Sequence, residues 1–450
     1  VYYTDGDGSW GIEGRKWCGI IKKEEDVDLD PKDITSNRNP FKDTEFYINP
    51  YYSAEVDAAI AKMSDASLIA KAEKMKDFSN AIWLDSIKNM NEWFENSLKG
   101  AKAQKQQTGK EVLSVFVLYN LPGRDCHALI SNGELLTNDD DFNRYKTEYI
   151  DVIEEHLKTY KNQPVVLIVE PDSLTNLVNN LETTPACADS EKYYLEGHAY
   201  LIKKLGVLPH VSMYLDIGNA YELGWDDTRE KAAQIYAGVI KSGAPGIVRG
   251  FADNIGGYVP WTDPTITSEE LNWNPCPDEK SFLQAIYKDF KAAGIPSVKF
   301  LTDTSYNGEK LDHNDILSRC KSTFGIGARP QVSPVDDMDY LDAFYWIKPF
   351  GKDYSNSSRY ESICTRDLEV YSSDNWNQKI FEEGIKKANP PFEIPLNKNW
   401  DQDKFIEGII NANPPLDQEE FEEGIKNVNP NDKWDQKEFE EGIKNADPPL

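Results

Sequence analysis

The sequence predicts an α/β fold, a parallel βα sheet or barrel of about seven strands with a cleft at the C-terminal strand ends. Two patterns carry this expectation. Between about residues 45 and 392, β-branched and aromatic runs alternate with stretches apolar at i, i+3 and i+4, such as DDFNRYKTEYIDVIEEHLKTY and TREKAAQIYAGVIKSG. Within that span lie seven short apolar runs of strand length: AIWLDS at 81, VFVLYNLP at 115, VVLIVEPD at 165, HVSMYLDIG at 210, IVRGFADN at 247, VKFLTDTS at 298 and LDAFYWIK at 341. They close on Asp85, Tyr119, Asp172, Asp216, Asp253, Asp303 and Lys348. In a parallel barrel all seven closing residues face one mouth. Carboxylates gathered there repel, so at least one is expected to hold a proton near neutral pH, the state that can protonate a leaving group. For any single Asp the plainer reading is the N-cap of the next helix; the joint pattern is what points to a site.

The flanks differ in composition. Residues 1–20 are rich in Gly and aromatics, and residues 21–44 are charged, without apolar period, as a tether is. The DGDGS run at Asp5 lacks the Gly and closing Glu of a calcium loop and reads as a turn. At the other end, NWNQKIFEEGIKKANPPF at 375 returns in variant form at 399, 417 and 433. Each copy reads as a short amphipathic helix stopped by Asn-Pro or Asp-Pro. Successive Phe-x-x-Gly cores are 24, 16 and 18 residues apart, too uneven for a solenoid. The first copy is taken as the last element of the body and residues 393–450 as an appended tail.

Composition narrows the function. With 77 acidic and 49 basic residues the formal charge is −28, which argues against a nucleic-acid partner. No apolar run reaches the length of a membrane span. Six cysteines at 18, 126, 187, 276, 320 and 364 show no zinc-site spacing; one or two structural disulfides in a secreted, extracellular protein are expected. The Asn-Ser-Ser sequon at Asn356 agrees; the sequence starts at Val1 without a charged-then-apolar leader, so any secretion signal is expected to have been removed or never cloned. Five histidines without HExxH, and no GxSxG, GxxxxGK or GxGxxG, imply neither metal nor cofactor. His127 and His198 are read as structural. Among 11 Trp and 23 Tyr, the strand-end rings Tyr119, Trp225, Tyr258 and Trp261 suit stacking on sugar faces, while Trp83 and Trp346 read as core. Carboxylates with aromatics point to a polysaccharide substrate.

The segments VFVLYNLPGRDCHALISNGE (115–134), LIVEPDSLTNLVNNL (167–181), MYLDIGNAYELGW (213–225) and FGIGARP (324–330) resemble glycoside hydrolase family six, the cellobiohydrolase and endoglucanase family. The resemblance implies a distorted seven-stranded βα barrel that hydrolyses β-1,4-glucosidic bonds of cellulose with inversion. Asp172 would then be the general acid, and Asp125 would raise its pKa and join the water chain that activates the nucleophile. Tyr119 would press on the sugar at the cleavage point, and Asp216 would support the protonation state. Tyr47, Trp225, Tyr258, Lys348 and Asp353 would contact the glucan. Family disulfides would pair Cys126 with Cys187 and Cys320 with Cys364, leaving Cys276 over and Cys18 without its partner. Residues 1–20 resemble the C-terminal part of the dockerin modules of anaerobic fungi, which implies a cellulosome scaffold as partner.

Departures are also visible. Asn219 and Glu222 stand where the family has His and Trp, Tyr306 where many members are basic, Arg319 where a Trp is expected, and FGKDY replaces Gly-Gly-Glu-x-Asp. The late Asp is thus shifted to Asp353 or missing. The loop after Asp125 is as long as in cellobiohydrolases, so a roofed tunnel and release of cellobiose from non-reducing ends by a monomeric enzyme are expected. An endoglucanase of the same family is the alternative, and a glucan-binding relic without hydrolytic activity is the reading from another class.

Overall fold

Every residue of Val112–Leu118 is buried, as befits a strand covered on both faces. In the computed structural model, which describes residues 38–127, 131–267, 269–309, 325–352 and 376–393, this strand is one of nine among the described residues. They are β1 (Glu45–Phe46), β2 (Ile82–Leu84), β3 (Val112–Leu118), β4 (Val165–Val169), β5 (Val211–Asp216), β6 (Gly250–Asp253), β7 (Phe300–Asp303), β8 (Gln331–Val332) and β9 (Leu341–Tyr345). The seven expected strands are β2 to β7 and β9, paired in parallel from each to the next. β1 and β8 are two-residue additions at β3 and β9, too short to leave a pattern in sequence. Between β9 and β2 the described residues show no strand ladder but the Asn80–Trp346 bridge, the Ala81 N–H to Trp346 carbonyl at 3.0 Å, the Trp83 Nε1–H to the Ile347 carbonyl at 2.9 Å and the Ser79 Oγ–Tyr345 hydroxyl bond at 2.6 Å. This seam is the distortion.

Side-chain alternation sorts the strand residues into two cores. Leu113, Val115, Val117, Val166, Ile168, Tyr214, Ala252, Leu301 and Ala343 fill the barrel interior. Phe116, Leu118, Leu167, Met213, Phe251 and Phe300 face outward against the helices. Those helices are α1 (Pro50–Ile60), α2 (Ala66–Glu73), α3 (Ile87–Thr108), α4 (Asp139–Arg144), α5 (Asp151–Thr159), α6 (Ser173–Asn179), α7 (Pro185–Leu205), α8 (Ala220–Leu223), α9 (Asp226–Ser242), α10 (Glu279–Ala292) and α11 (Gln378–Lys386). The helical pattern over residues 140–160 resolves into α4 and α5 joined by a π-helical turn, Tyr145–Ile150. That turn aims Tyr145 at Glu170 and Tyr149 at the Leu84 carbonyl, both beneath the strand ends.

Chain contacts divide the protein into two units, Val1–Phe392 and Glu393–Leu450. The first tail copy is the helix α11, which buries Ile380, Phe381 and Ile385. Gly384 explains the glycine in mid-helix: an added Cβ would penetrate the Phe350 ring. Residues 1–20, most of 21–44, the tail beyond Glu393, Cys18, Cys320, Cys364, Arg319, Asp353 and Asn356 lie outside the described residues.

Candidate active site

Strand parity decides which end residues share the mouth. Tyr119 continues the inward series Leu113, Val115, Val117, and Asp216 continues Tyr214. Asp253 follows the inward Ala252 and so faces outward, where the expected cluster of carboxylates loses a member. It meets Glu279 of α10: Thr302 Oγ1 donates to Asp253 Oδ1 at 2.9 Å, the Ala220 N–H donates to Glu279 Oε1 at 2.9 Å, and both remaining oxygens are buried. Burial and then the Asp253 charge drive the Glu279 pKa well upward, and burial lifts Asp253 to about 7. Asp303 faces inward but is occupied, accepting the N–H groups of Gly256, Ser305 and Lys348 at 2.8 to 2.9 Å.

Asp172 occupies the N-cap position of α6 yet makes no capping hydrogen bond, and its backbone is left-handed at φ 66°. The capping reading therefore fails for this Asp. Its N–H donates to Asp216 Oδ2 at 2.9 Å, which fixes the carboxyl's direction from behind. Asp125, Glu170 and Asn254 are also left-handed, at φ 56°, 47° and 56°. Such clustering of strained non-glycine residues is characteristic of sites where geometry is over-determined by the surroundings.

Asp172 opens onto a cavity of about 480 Å³ that it shares with Asp125, His127, Asn176, Glu222 and Trp225. Asp172 is exposed to water at the cavity, yet the protein atoms crowding it push its pKa up to about 6, the Asp125 charge adds to this, and Lys348 opposes it. Asp125 itself is nearly closed off and accepts the Ser131 N–H at 2.6 Å. Asp216 is driven well upward by burial and by the Asp172 charge, and its Oδ1 accepts the Gly218 N–H at 3.2 Å. Tyr119 stays a neutral phenol, its pKa raised far by burial and then by Asp172 and Asp125.

Two residues that the strand-end pattern did not mark hold this arrangement. Arg124 lies over the Tyr119 ring at 4.3 Å and donates to the carbonyls of Tyr119, Asp85 and Ser131. Glu170, two residues before the acid, accepts the N–H groups of Asn120 and Leu121 at 2.9 and 3.1 Å and the Tyr145 hydroxyl at 2.8 Å. Burial lifts its pKa to about 7 against these bonds. The signal for Arg124 is its place inside GRDC; Glu170 directly follows β4, but the run VVLIVEPD is closed on Asp172, which hides it.

A second cavity of about 250 Å³ is lined by Tyr51, Trp83, Asp85, Asn89, Trp93 and Lys352 among others. Trp83 is thus not only core filler: it faces inward, edge-on to Tyr119 at 5.4 Å, and lines the smaller cavity. Trp346 is core, fully buried. Of the other expected contact residues, Trp225 lines the larger cavity, Tyr258 stands behind it 6.4 Å from Tyr221, and Lys348 is near enough to bias Asp172. Tyr47 is not brought to either cavity; its main chain bonds Leu113 and its hydroxyl lies against Gly100 of α3. His198 is buried and structural, whereas His127 is on the cavity wall, its Nδ1 3.0 Å from Thr184 Oγ1. The Cys126–Cys187 disulfide ties the Asp125 loop to α7, and Cys276 is a buried free thiol.

Residues 41–388 match the model of the glycosyl hydrolases family 6. The chain belongs to glycosyl hydrolase family 6. Among its curated relatives, the probable 1,4-beta-D-glucan cellobiohydrolase C of Aspergillus clavatus is 36% identical over 367 residues, 79% of this chain and 77% of that one. The catalytic core of the cellobiohydrolase Cel6A from Chaetomium thermophilum superposes with a TM-score of 0.71 at 33% identity, over 79% of this chain and all of that one. Cellobiohydrolase II (Cel6A) from Humicola insolens, solved with glucose and cellotetraose, gives 0.72 at 30%, again over 79% and 100%. The family 6 barrel is therefore the fold, seam included. Among the described residues no helix is long and apolar enough to cross a membrane, and no group of three His, Cys, Asp or Glu side chains is placed to hold a metal.

Proposed function

We propose that this family 6 chain is a secreted cellobiohydrolase that cleaves β-1,4-glucosidic bonds of cellulose with inversion, releasing cellobiose from non-reducing ends. The observation that carries the reading is the pair Asp172 and Asp125 on one cavity wall, with the first raised to about 6 by burial and by the second. Cellobiohydrolase is also the printed activity of its relatives in Aspergillus clavatus and Chaetomium thermophilum, and the Humicola insolens structure holds cellotetraose.

In this mechanism Asp172 carries the proton and gives it to the glycosidic oxygen as the C–O bond breaks. A water on the opposite sugar face attacks the anomeric carbon and passes its proton towards Asp125. Tyr119, neutral and clamped between Trp83 and Arg124, presses on the sugar at the cleavage point and favours a distorted ring. Asp216 holds the Asp172 backbone, and Lys348 bounds the upward shift of the acid. Trp225 in the larger cavity and Trp83 with Trp93 in the smaller supply ring faces for glucosyl units. The role of Asp353, the Cys320–Cys364 pair, a dockerin-like residue segment 1–20 and a scaffold partner belong to the same proposal and rest on sequence resemblance alone.

Incubation with swollen cellulose tests the reading: cellobiose as the main soluble product, with little viscosity loss in a soluble β-1,4-glucan, is expected. Rapid viscosity loss per reducing end formed would make the chain an endoglucanase, and no soluble sugar at any pH would make it a binding relic.

A further inference from the structure

The larger cavity contains a carboxyl that this mechanism does not use. Glu222 sits on α8, the four-residue helix whose first N–H is held by Glu279 from outside the barrel. Asn219 caps that helix, and the Asn179 side chain donates to the Glu222 carbonyl at 3.1 Å, so the segment is fixed from both sides. A Glu222 carboxyl oxygen occupies the space that a Cβ at Gly218 would take, so a side chain there would displace it. Gly218 in turn has φ 61°, the left-handed region, and donates to Asp216. The chain has thus placed a glycine that makes room for an acid, on the wall that also carries Asp172 and Asp125.

We propose that Glu222 is a substrate-binding residue of this chain, its carboxyl group exchanging hydrogen bonds with glucosyl hydroxyls in the cavity beside the acid. The inference rests on the glucan reading above and deepens it. The cavity wall around Glu222 offers Asn176, Asn179, Asn180, Thr175 and Thr228 as further polar partners, with Tyr221 and Trp225 as rings. That is the wall of a site that reads hydroxyl groups rather than one that only stacks.

The protonation state follows from the surroundings. Glu222 is faced by Asp172 from the end of β4 and by Asp216 from β5, shares the cavity lining with Asp125 and His127, and is faced by Tyr236 of α9 and Glu279 of α10. Burial first and the Asp172 charge second push its pKa up to about 8. It is therefore a neutral acid in the working range, able both to donate and to accept. A ligand that bonds the neutral form raises this pKa further. Affinity is then fully present below the free-state pKa and falls as pH rises through it, by up to about tenfold per pH unit.

Calorimetric binding of a non-hydrolysable thio-linked cellotetraoside from pH 6 to 9.5 tests this on the intact chain. For the wild type, Kd is expected to be nearly flat to pH 7.5 and to weaken by up to about tenfold by pH 9. Glu222→Gln, which keeps the shape and cannot ionise, should bind within about threefold of wild type at pH 6 and show no such loss. Glu222→Ala should bind about tenfold more weakly at pH 6 with an unchanged melting temperature. A wild-type curve with no loss, or a Glu222→Gln curve parallel to it, overturns the role of Glu222 alone. A wild type that does not bind the probe at any pH overturns the glucan reading with it.

Discussion

Replacing Asp125 by Asn removes one of the two causes that raise Asp172 and leaves the other. Burial is the larger cause and stays; the like charge goes. With its pKa at about 6, Asp172 is protonated about nine-tenths of the time at pH 5 and one-tenth at pH 7, so the alkaline limb of activity falls about tenfold per unit above 6. Loss of a neighbouring carboxylate is worth roughly one unit. The limb of Asp125→Asn should then move down to about pH 5, well short of the 3.8 of an unperturbed Asp. The ratio of activity at pH 6 to that at pH 4.5 should fall about fourfold relative to wild type, whatever the drop in absolute rate from the disturbed water chain. The assay is kcat/KM on cellotetraose at half-unit steps from pH 3.5 to 8. A limb that stays at 6 or moves upward would refute the reasoning, since it would mean that the Asp125 charge does not act on the acid.

Three further outcomes bear on the fold. Cys126→Ser opens a disulfide that closes 61 residues, and the chain-entropy model gives a loss of about 4 kcal/mol, visible as a lower denaturant midpoint. Arg249 is buried with bonds of 2.8 Å to both oxygens of Asp342, so Arg249→Leu leaves a buried unpaired carboxylate and should cost about 3 to 5 kcal/mol, part of it recovered in the double variant Arg249→Leu with Asp342→Leu. Burial pushes His198 down to about 4, so the unfolded chain takes up its proton first as pH falls. The cost is absent above pH 6.5, grows from there to pH 4 and reaches about 3 kcal/mol. His198→Gln should accordingly show a shallower fall in Tm over that window, and an unchanged slope would count against the neutral buried state.

Much of this architecture is legible from residue order because a parallel strand buried on both faces leaves a continuous apolar run, and each of the seven runs ends at a polar residue. What the runs do not carry is parity. Asp253 and Asp216 look alike in sequence, but one register step turns the first outward to Glu279 and leaves the second inward beside Asp172. Nor does local sequence show a partner more than forty residues away: Glu170 has meaning only once the Asn120 and Leu121 amides are seen to point at it, and Glu222 only once Asp172 is seen in the same cavity. Trp83 reads as core because it sits inside an apolar strand, yet it also lines the smaller cavity. Tyr47 shows the converse, an aromatic near a matching motif whose hydroxyl is spent against Gly100.

The central claim is that Asp172 supplies a proton to the departing sugar oxygen, and leaving-group dependence tests it most directly. A 2,4-dinitrophenolate leaves without protonation, whereas a glucosyl oxygen does not. Asp172→Ala should therefore lose more than about 100-fold on cellotetraose while keeping most of its rate on 2,4-dinitrophenyl cellobioside. Equal losses on both substrates, or near-normal hydrolysis of cellotetraose, would contradict the assignment.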